Sequence, residues 1–188
     1  MSKNIETERL NLCVEGPADA SALLDYLRQN KAHLEPWDPP HPEGYYTLEF
    51  WNKQLVHSQR GAEEGRSARF LMRLKDNPQG PVIGRCNYSN IVRGSFRSAF
   101  LGYSIDRRYE GMGYMTEALD GSLDHIFNVL ELHRVQANYI PTNGRSAKVL
   151  RRLGFTVEGY ARDYLYINGA WRDHIMAALL NPAPIEPC

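Results

Sequence analysis

The feature that most constrains the fold is a helix that connects two strands within residues 97–140. Alternating apolar residues predict a strand over 97–106, apolar residues at helical spacing predict a helix over 114–130, and a second alternating run predicts a strand over 133–140. Parallel strands need a long crossover connection, usually an α-helix, so these elements predict one βαβ crossover. Any fold proposed for the chain must contain a parallel strand pair at this point.

The rest of the chain predicts antiparallel strands with helices packed on them. A first strand with alternating Leu10, Leu12 and Val14 precedes two helices and then a meander of three strands, whose turns contain "DNPQG" and "RGS". After the crossover come a short helix and two strands joined by Asn168-Gly169, which is typical of a two-residue hairpin turn. The expected fold class is α+β: a mostly antiparallel, twisted mixed sheet with one βαβ crossover, flanked by helices, in a single domain over residues 1–188.

Charge and cysteine content argue against several classes of function. Lys plus Arg number 22 and so do Asp plus Glu, so no net charge attracts the chain to nucleic acid or to a membrane surface. The scattered cysteines Cys13, Cys86 and Cys188 include no Cys-x-x-Cys pair, which argues against a disulfide framework or a zinc site. No signal-peptide core and no apolar run of membrane-spanning length is present. We therefore expect a cytoplasmic protein that binds no metal, nucleic acid or membrane.

Two glycines, Gly111 and Gly113, stand directly before the crossover helix. Without Cβ atoms this backbone can turn successive N–H groups onto an anion, and a helix that starts near Tyr114 adds the positive end of its dipole. The same pair equally suits a tight turn that only needs positive φ. The segment is not a Walker A loop, because no Gly-Lys-Ser/Thr follows, and it lacks the third glycine of a Rossmann fingerprint.

The surroundings of these glycines resemble the GNAT acetyltransferase superfamily. Residues 108–113 read Arg-x-x-Gly-x-Gly, like the loop that grips the pyrophosphate of acetyl-CoA in that superfamily, and "PTNGRSAKVLRRLGF" resembles its next helix. The segments "WRDH", "ANYIPTNGRS", "VRGSF" and "LGYSI" resemble more narrowly the ribosomal-protein-alanine N-acetyltransferases of the RimJ type, over roughly residues 6–180. The resemblance implies a GNAT-like fold in which the strand before the glycine loop splays away from the strand after the helix.

The resemblance also implies acetyl-CoA as the co-substrate and a set of residues that bind it. Strand backbone would pair with pantetheine, loop backbone would hold the pyrophosphate, Asn143 would bond the pantetheine arm and Ser146 would face the thioester. The predicted cofactor-binding residues are Tyr103, Ser104, Ile105, Arg108, Gly111, Met112, Gly113, Tyr114, Met115, Thr116, Asn143 and Ser146. Local sequence leaves alternatives open, since Asn143 equally suits a helix cap and residues 103–105 equally suit a core strand.

Ser146 is the predicted catalytic residue. When an amine attacks the thioester, the leaving thiolate needs a proton or a hydrogen bond, which a serine hydroxyl can provide. Many superfamily members use a tyrosine further along this helix, where this chain has Leu150. The glutamate that serves many relatives as general base is replaced by Asn138, and Asp106 and Asp163 suit turns as well as catalysis. The base stays unassigned.

The resemblance implies that the acceptor is the N-terminal alanine of small-subunit ribosomal protein number five. At pH 7 an α-amine with pKa near 7.8 is roughly a tenth neutral, whereas a lysine amine with pKa near 10.4 is less than about a thousandth neutral, so a missing glutamate favours an α-amine. The Pro-rich segment 36–42 with Trp37, and the hairpin residues Tyr164, Tyr166 and Trp171, suit either the wall of an acceptor groove or peripheral core. Two alternatives stay open: an acetyltransferase for a small amine such as a polyamine or aminoglycoside, and a non-catalytic acyl-CoA-binding, ribosome-associated module.

Overall fold

The computed structural model describes residues 4–183 and contains an eight-stranded mixed sheet. The strands are β1 (Asn4–Glu6), β2 (Leu10–Val14), β3 (Ala68–Leu74), β4 (Gly84–Val92), β5 (Ser98–Ile105), β6 (Arg134–Tyr139), β7 (Thr156–Ile167) and β8 (Ala170–Leu180). The helices are α1 (Ala20–Gln29), α2 (Lys31–Leu34), α3 (Leu48–Glu63), α4 (Tyr114–Asn128) and α5 (Gly144–Arg152). The order β1-β2-β3-β4-β5-β6-β8-β7, with only β5 and β6 parallel, confirms the predicted α+β sheet with one βαβ crossover.

The parallel pair separates part-way along its length. Strand β5 pairs with β6 only over Ser98–Phe100, although β5 continues to Ile105 and β6 to Tyr139. On its other edge β5 stays paired with β4 as far as Ile105, and β8 pairs with β6 along the whole of β6. The two halves of the sheet therefore splay apart beyond Phe100, as the family resemblance predicts, and backbone groups of β5 are left without a strand partner on that side.

Helices cover both faces of the sheet. The buried residues of α4 recur at intervals of three and one, so a single face of this helix packs into the core. Alternation along β3 shows the two layers: Phe70 and Met72 pack in the cluster with α4, whereas Leu71 packs with α1 and α3. The sheet is therefore buried on both sides in its centre, which holds β5 and the start of α4 in fixed positions.

The structure departs from the sequence prediction at the N-terminus. The predicted first strand is a hairpin, in which β1 pairs antiparallel with β2 and the Thr7 N–H donates to the carbonyl of Leu10 at 2.9 Å. A strand of three residues is too short to show alternation, so no pattern indicates it. The cysteines Cys13 and Cys86 are free thiols, and Cys188 lies outside the described residues. None of the described helices is long and apolar enough to cross a membrane.

Candidate active site

A cavity of about 600 Å³ opens where β5 and β6 separate. Its wall combines the splayed end of β5, the loop before α4, the first turns of α4 and α5, and residues of α2 and the segment that follows it. All the predicted cofactor-binding residues except Arg108 and Met112 line this cavity. The structure therefore brings together residues that the sequence places on four separate elements.

The glycine loop has the backbone conformation that the sequence predicts. Gly111 has φ +75° and Gly113 has φ +84°, which are left-handed conformations that favour glycine. A Cβ at Gly111 would meet no protein atom within 4 Å, so the space beside that residue is open rather than filled by packing. Gly113 directly precedes the first residue of α4, where N–H groups lack intrahelical partners. The loop therefore presents bare backbone and a helix N-terminus to the cavity.

Arg108 lies outside the cavity and bonds to Asp106 in the turn before the glycine loop. Its Nη2 lies 2.6 Å from Oδ2 of Asp106 and 3.0 Å from Oε1 of Gln29. Asp106 also accepts the Arg108 backbone N–H at 2.8 Å and so caps the short turn before the glycines. These bonds from Arg108 lower the pKa of Asp106 to about 2. A carboxylate with so low a pKa is a weak base, so Asp106 does not suit the role of general base.

Met112 is also outside the cavity, with its side chain 55% exposed. Its carbonyl accepts a hydrogen bond from Nη1 of Arg9 at 3.0 Å. The Arg9 guanidinium lies over the ring of Tyr114 at 4.3 Å and pairs with Glu117 through Nε at 2.7 Å. Arg9 therefore braces the glycine loop against the first turns of α4. The sequence gives no signal of this contact, because Arg9 and Met112 are far apart along the chain.

Asn143 is the N-cap of α5. Its Oδ1 accepts the Ser146 N–H at 3.1 Å, which is the cap that the sequence allows. Its Nδ2 donates to no other described residue, so that group is available to a ligand in the cavity. The cap and the predicted contact with pantetheine are therefore compatible. Helix α5 ends before Gly154, whose φ of +84° makes it a left-handed stop.

Two hydroxyl groups meet on the cavity wall. The Tyr103 hydroxyl from β5 lies 2.6 Å from Oγ of Ser146 on α5 and 3.4 Å from the carbonyl oxygen of Ser146. Burial raises the pKa of the Tyr103 phenol, so the group keeps its proton at neutral pH. Leu150, one turn further along α5, is buried in the core and brings no hydroxyl. The sequence predicts only a backbone role for Tyr103, and the structure adds this side-chain contact.

The two carboxylates that line the cavity are in different environments. Glu110 lies 2.7 Å from Nη1 of Arg145 and 3.3 Å from Nε2 of His33. Asp38 has Nε2 of His41 at 3.9 Å from its Oδ2, and it is also close enough to the buried Arg85 guanidinium to feel its charge. Burial raises the pKa of Asp38. His41 and Arg85 oppose this rise, so Asp38 differs from Glu110 mainly in having no short ion pair.

The residues expected on the acceptor side lie in two different places. Trp37 lines the cavity together with Asp38. The hairpin residues Tyr164, Tyr166 and Trp171 are exposed and do not line it, so they are neither peripheral core nor part of this wall.

The remaining carboxylate candidate, Asp163, and Asn138 at the position of the missing glutamate both lie away from the cavity. Asp163 is exposed, and its backbone N–H donates to Asp173 at 2.9 Å. The Asn138 amide donates to the Tyr164 hydroxyl at 3.1 Å. Neither Asp163 nor Asn138 is among the lining residues. Within residues 4–183, no three His, Cys, Asp or Glu side chains are grouped so that they could hold a metal ion.

Comparison with known proteins gives one consistent result. A family model described as an acetyltransferase (GNAT) domain matches residues 9–156. The ribosomal protein uS5-alanine N-acetyltransferase of Escherichia coli K12 is 40% identical over 178 residues, which is 95% of this chain and 91% of that protein. The crystal structure of the ribosomal-protein-S5-alanine acetyltransferase from Vibrio fischeri has a TM-score of 0.91 at 37% identity and covers 96% of this chain and 99% of its own. The structure of Mycobacterium smegmatis RimJ in complex with CoA-disulfide has a TM-score of 0.88 at 30% identity, and the match covers 98% of this chain and 90% of that chain.

Proposed function

Because the chain belongs to the GNAT acetyltransferase family, we propose that it transfers the acetyl group of acetyl-CoA to the α-amine of the N-terminal alanine of ribosomal protein uS5. The observation that carries the proposal is the cavity between the splayed strands, where the glycine loop, Asn143 and Ser146 lie on one wall. Identity of 40% with an enzyme named for uS5-alanine supports the acceptor. A cytoplasmic location and the absence of nucleic-acid and membrane partners stay predictions.

The cavity has groups that suit each part of acetyl-CoA, the acetyl donor. Backbone groups of residues 103–105, unpaired toward β6, suit a pantetheine arm added like a strand. The glycine loop and the N-terminus of α4 suit the pyrophosphate, because first-turn N–H groups and the helix dipole favour anions. Cationic side chains of α5 add positive charge to the same cavity: Arg145, Lys148 and Arg152.

We propose that Ser146 assists the leaving group, because its side chain lines the cavity. The amine nitrogen attacks the thioester carbonyl carbon, the new C–N bond forms, and the C–S bond then breaks with its electron pair on sulfur. The sulfur takes the hydroxyl proton of Ser146, and the serine oxygen regains a proton released from the nitrogen. A hydroxyl held at this position stabilises charge as it develops on sulfur and needs little reorganisation.

The acceptor end of the cavity suits a single positive charge. The Asp38 carboxylate lies in the wall and has no cationic side chain in a short ion pair, so it is available to the ammonium form of an incoming α-amine. The other lining carboxylate, Glu110, is already paired with Arg145. A polyamine carries several ammonium groups and would need more free carboxylates than this wall supplies. The electrostatics therefore favour a protein N-terminus over a polyamine.

We expect Ser146→Ala to lower kcat by about 10- to 1,000-fold, the cost of removing one hydrogen-bond donor from a transition state. Affinity for acetyl-CoA should change little, because the hydroxyl is needed mainly as thiolate character develops. The N-cap survives, since Asn143 accepts the backbone N–H of residue 146. Calorimetry with CoA and steady-state thiol release measure the two effects separately. An unchanged kcat, with chemistry shown to be rate-limiting, would exclude Ser146 as the acid.

The acceptor assignment is tested on whole uS5. We expect incubation with acetyl-CoA to add one acetyl group to uS5 that carries a free N-terminal alanine, and fragment mass spectrometry should place it on the first residue. The matched control is the same protein with its terminus already blocked, which should gain nothing. Acetylation of internal lysines, or no acetylation of folded uS5 by an enzyme active on other amines, would overturn the assignment.

A further inference from the structure

We propose that Tyr103 is a positioning residue for the acetyl transfer: its hydroxyl donates to Oγ of Ser146 and so directs the Ser146 hydroxyl hydrogen toward the thioester sulfur. This inference rests on the proposed function of the cavity and on the role of Ser146 within it. It assigns a side-chain task to a residue for which the family resemblance implies only a backbone contact.

The contact is short and joins two separate elements. The two hydroxyl oxygens are 2.6 Å apart, and both residues line the cavity that opens where the strands separate. The second acceptor within reach, the Ser146 carbonyl oxygen, is further away at 3.4 Å. A separation of 2.6 Å lies at the short end of the range for O–H···O bonds. Tyr103 is therefore committed chiefly to the Ser146 hydroxyl.

The chemistry of the pair sets the direction of the bond. A phenol is a stronger donor than an aliphatic alcohol, so Tyr103 donates and Ser146 accepts. If Ser146 donated instead, its only hydrogen would point at the tyrosine and not at the sulfur. Burial keeps the Tyr103 phenol protonated, so its ability to donate does not change across neutral pH. A hydroxyl that accepts one hydrogen bond also becomes a better donor in the next one.

Without Tyr103 the serine hydroxyl has a competing arrangement. Serines inside helices commonly turn to donate to a backbone carbonyl one turn earlier, and Ser146 lies in the first turn of α5. That rotamer would withdraw the hydrogen from the cavity. The Tyr103 hydroxyl occupies the serine oxygen from the β5 side and favours the rotamer whose hydrogen faces the ligand.

A second tyrosine–serine pair shows what a purely structural contact of this type looks like. The hydroxyl oxygens of Tyr88 and Ser122 are 2.8 Å apart, and both side chains are fully buried between β4 and α4. Neither lines the cavity. The pair Tyr103–Ser146 has the same chemistry but faces the space where the thioester would lie. Tyr88→Phe is therefore a matched control for the loss of one buried phenol hydroxyl.

We expect Tyr103→Phe to lower kcat by at least about 10-fold while leaving the Kd for acetyl-CoA within twofold of the wild type, since only a hydrogen bond made in the transition state is affected. The double variant Tyr103→Phe, Ser146→Ala should be no slower than Ser146→Ala alone, because Tyr103 acts through the serine. Tyr88→Phe should lower the free energy of unfolding by about as much as Tyr103→Phe does. Its kcat should stay at the wild-type value. Replacing Tyr103 with 3-fluorotyrosine, which retains the ring and the hydroxyl, should retain kcat.

Three results would overturn the proposal: a wild-type kcat in Tyr103→Phe, losses that multiply in the double variant, or an equal loss of kcat in Tyr88→Phe. Thiol release is measured with whichever amine the enzyme acetylates fastest, so the test does not depend on uS5. If uS5 is not a substrate but Tyr103→Phe slows thiol release as expected, the acceptor assignment fails and the role of Tyr103 stands.

Discussion

Gly111→Val and Gly113→Val are each expected to abolish detectable acetyl-CoA binding while the chain remains folded. Both glycines have left-handed φ, +75° and +84°, so a β-branched residue there costs about 1–3 kcal/mol of backbone strain. That is less than the ~5–15 kcal/mol by which domains are typically stable. The larger effect is local: a side chain at Gly111 fills the open space beside the loop N–H groups, and a Cβ at Gly113 meets Nη2 of Arg9 at 3.4 Å, so that the Arg9 contact holding the loop must shift. Losing two charge-assisted hydrogen bonds of about 1.5–3 kcal/mol each lowers affinity by ~10²–10⁴-fold.

Gly94→Val is a matched control for strain alone. Gly94 has φ +70°, a Cβ there would meet nothing within 4 Å, and the residue does not line the cavity. This variant should lose similar stability in denaturant unfolding and bind acetyl-CoA like the wild type in calorimetry. Near-normal affinity in a folded Gly111→Val or Gly113→Val variant would show that the glycines serve only a tight turn.

Features set by neighbouring residues could be predicted from the sequence. The crossover, the glycine loop and the Asn143 cap each depend on propensities within a few residues, and each lies where the patterns place it. The hairpin at Asn168-Gly169 is similar, since positive φ at both residues matches the turn that the dipeptide favours. The family resemblance adds what local patterns do not contain, namely the splay of β5 from β6.

Contacts between distant parts of the chain could not be predicted in the same way. Arg9 reaches Met112, and Tyr103 reaches Ser146, only because the sheet register and the packing of α4 and α5 bring them together. The placement of Asp38 in the cavity wall likewise depends on how the Pro-rich segment packs beside β5. Such side-chain contacts follow from the whole topology, whereas sequence patterns report periodicity and turns.

The second large effect concerns the choice of acceptor amine. A peptide that begins with free alanine should be acetylated on the order of 10²–10³-fold faster than its N-terminally blocked twin with one internal lysine, because the two amines differ by about 2–3 pKa units. Among the described residues lining the cavity, Asp38 is the carboxylate that has no short ion pair. A half-buried carboxylate of this kind can attract an ammonium group, but it is a far weaker base than a lysine amine. The site therefore favours the amine that loses its proton more easily.

The ratio of these two rates is the most direct test of acetylation at a protein N-terminus. Thiol release is measured with acetyl-CoA in excess, at one pH, for the free-alanine peptide, its blocked lysine twin and spermidine, and mass spectrometry locates each acetyl group. We expect acetylation of the alanine α-amine to be at least about 100-fold faster than that of either other acceptor, given the pKa difference. Equal rates on the blocked lysine peptide, or faster acetylation of spermidine, would contradict an N-terminal acetyltransferase and leave an acetyltransferase for other amines.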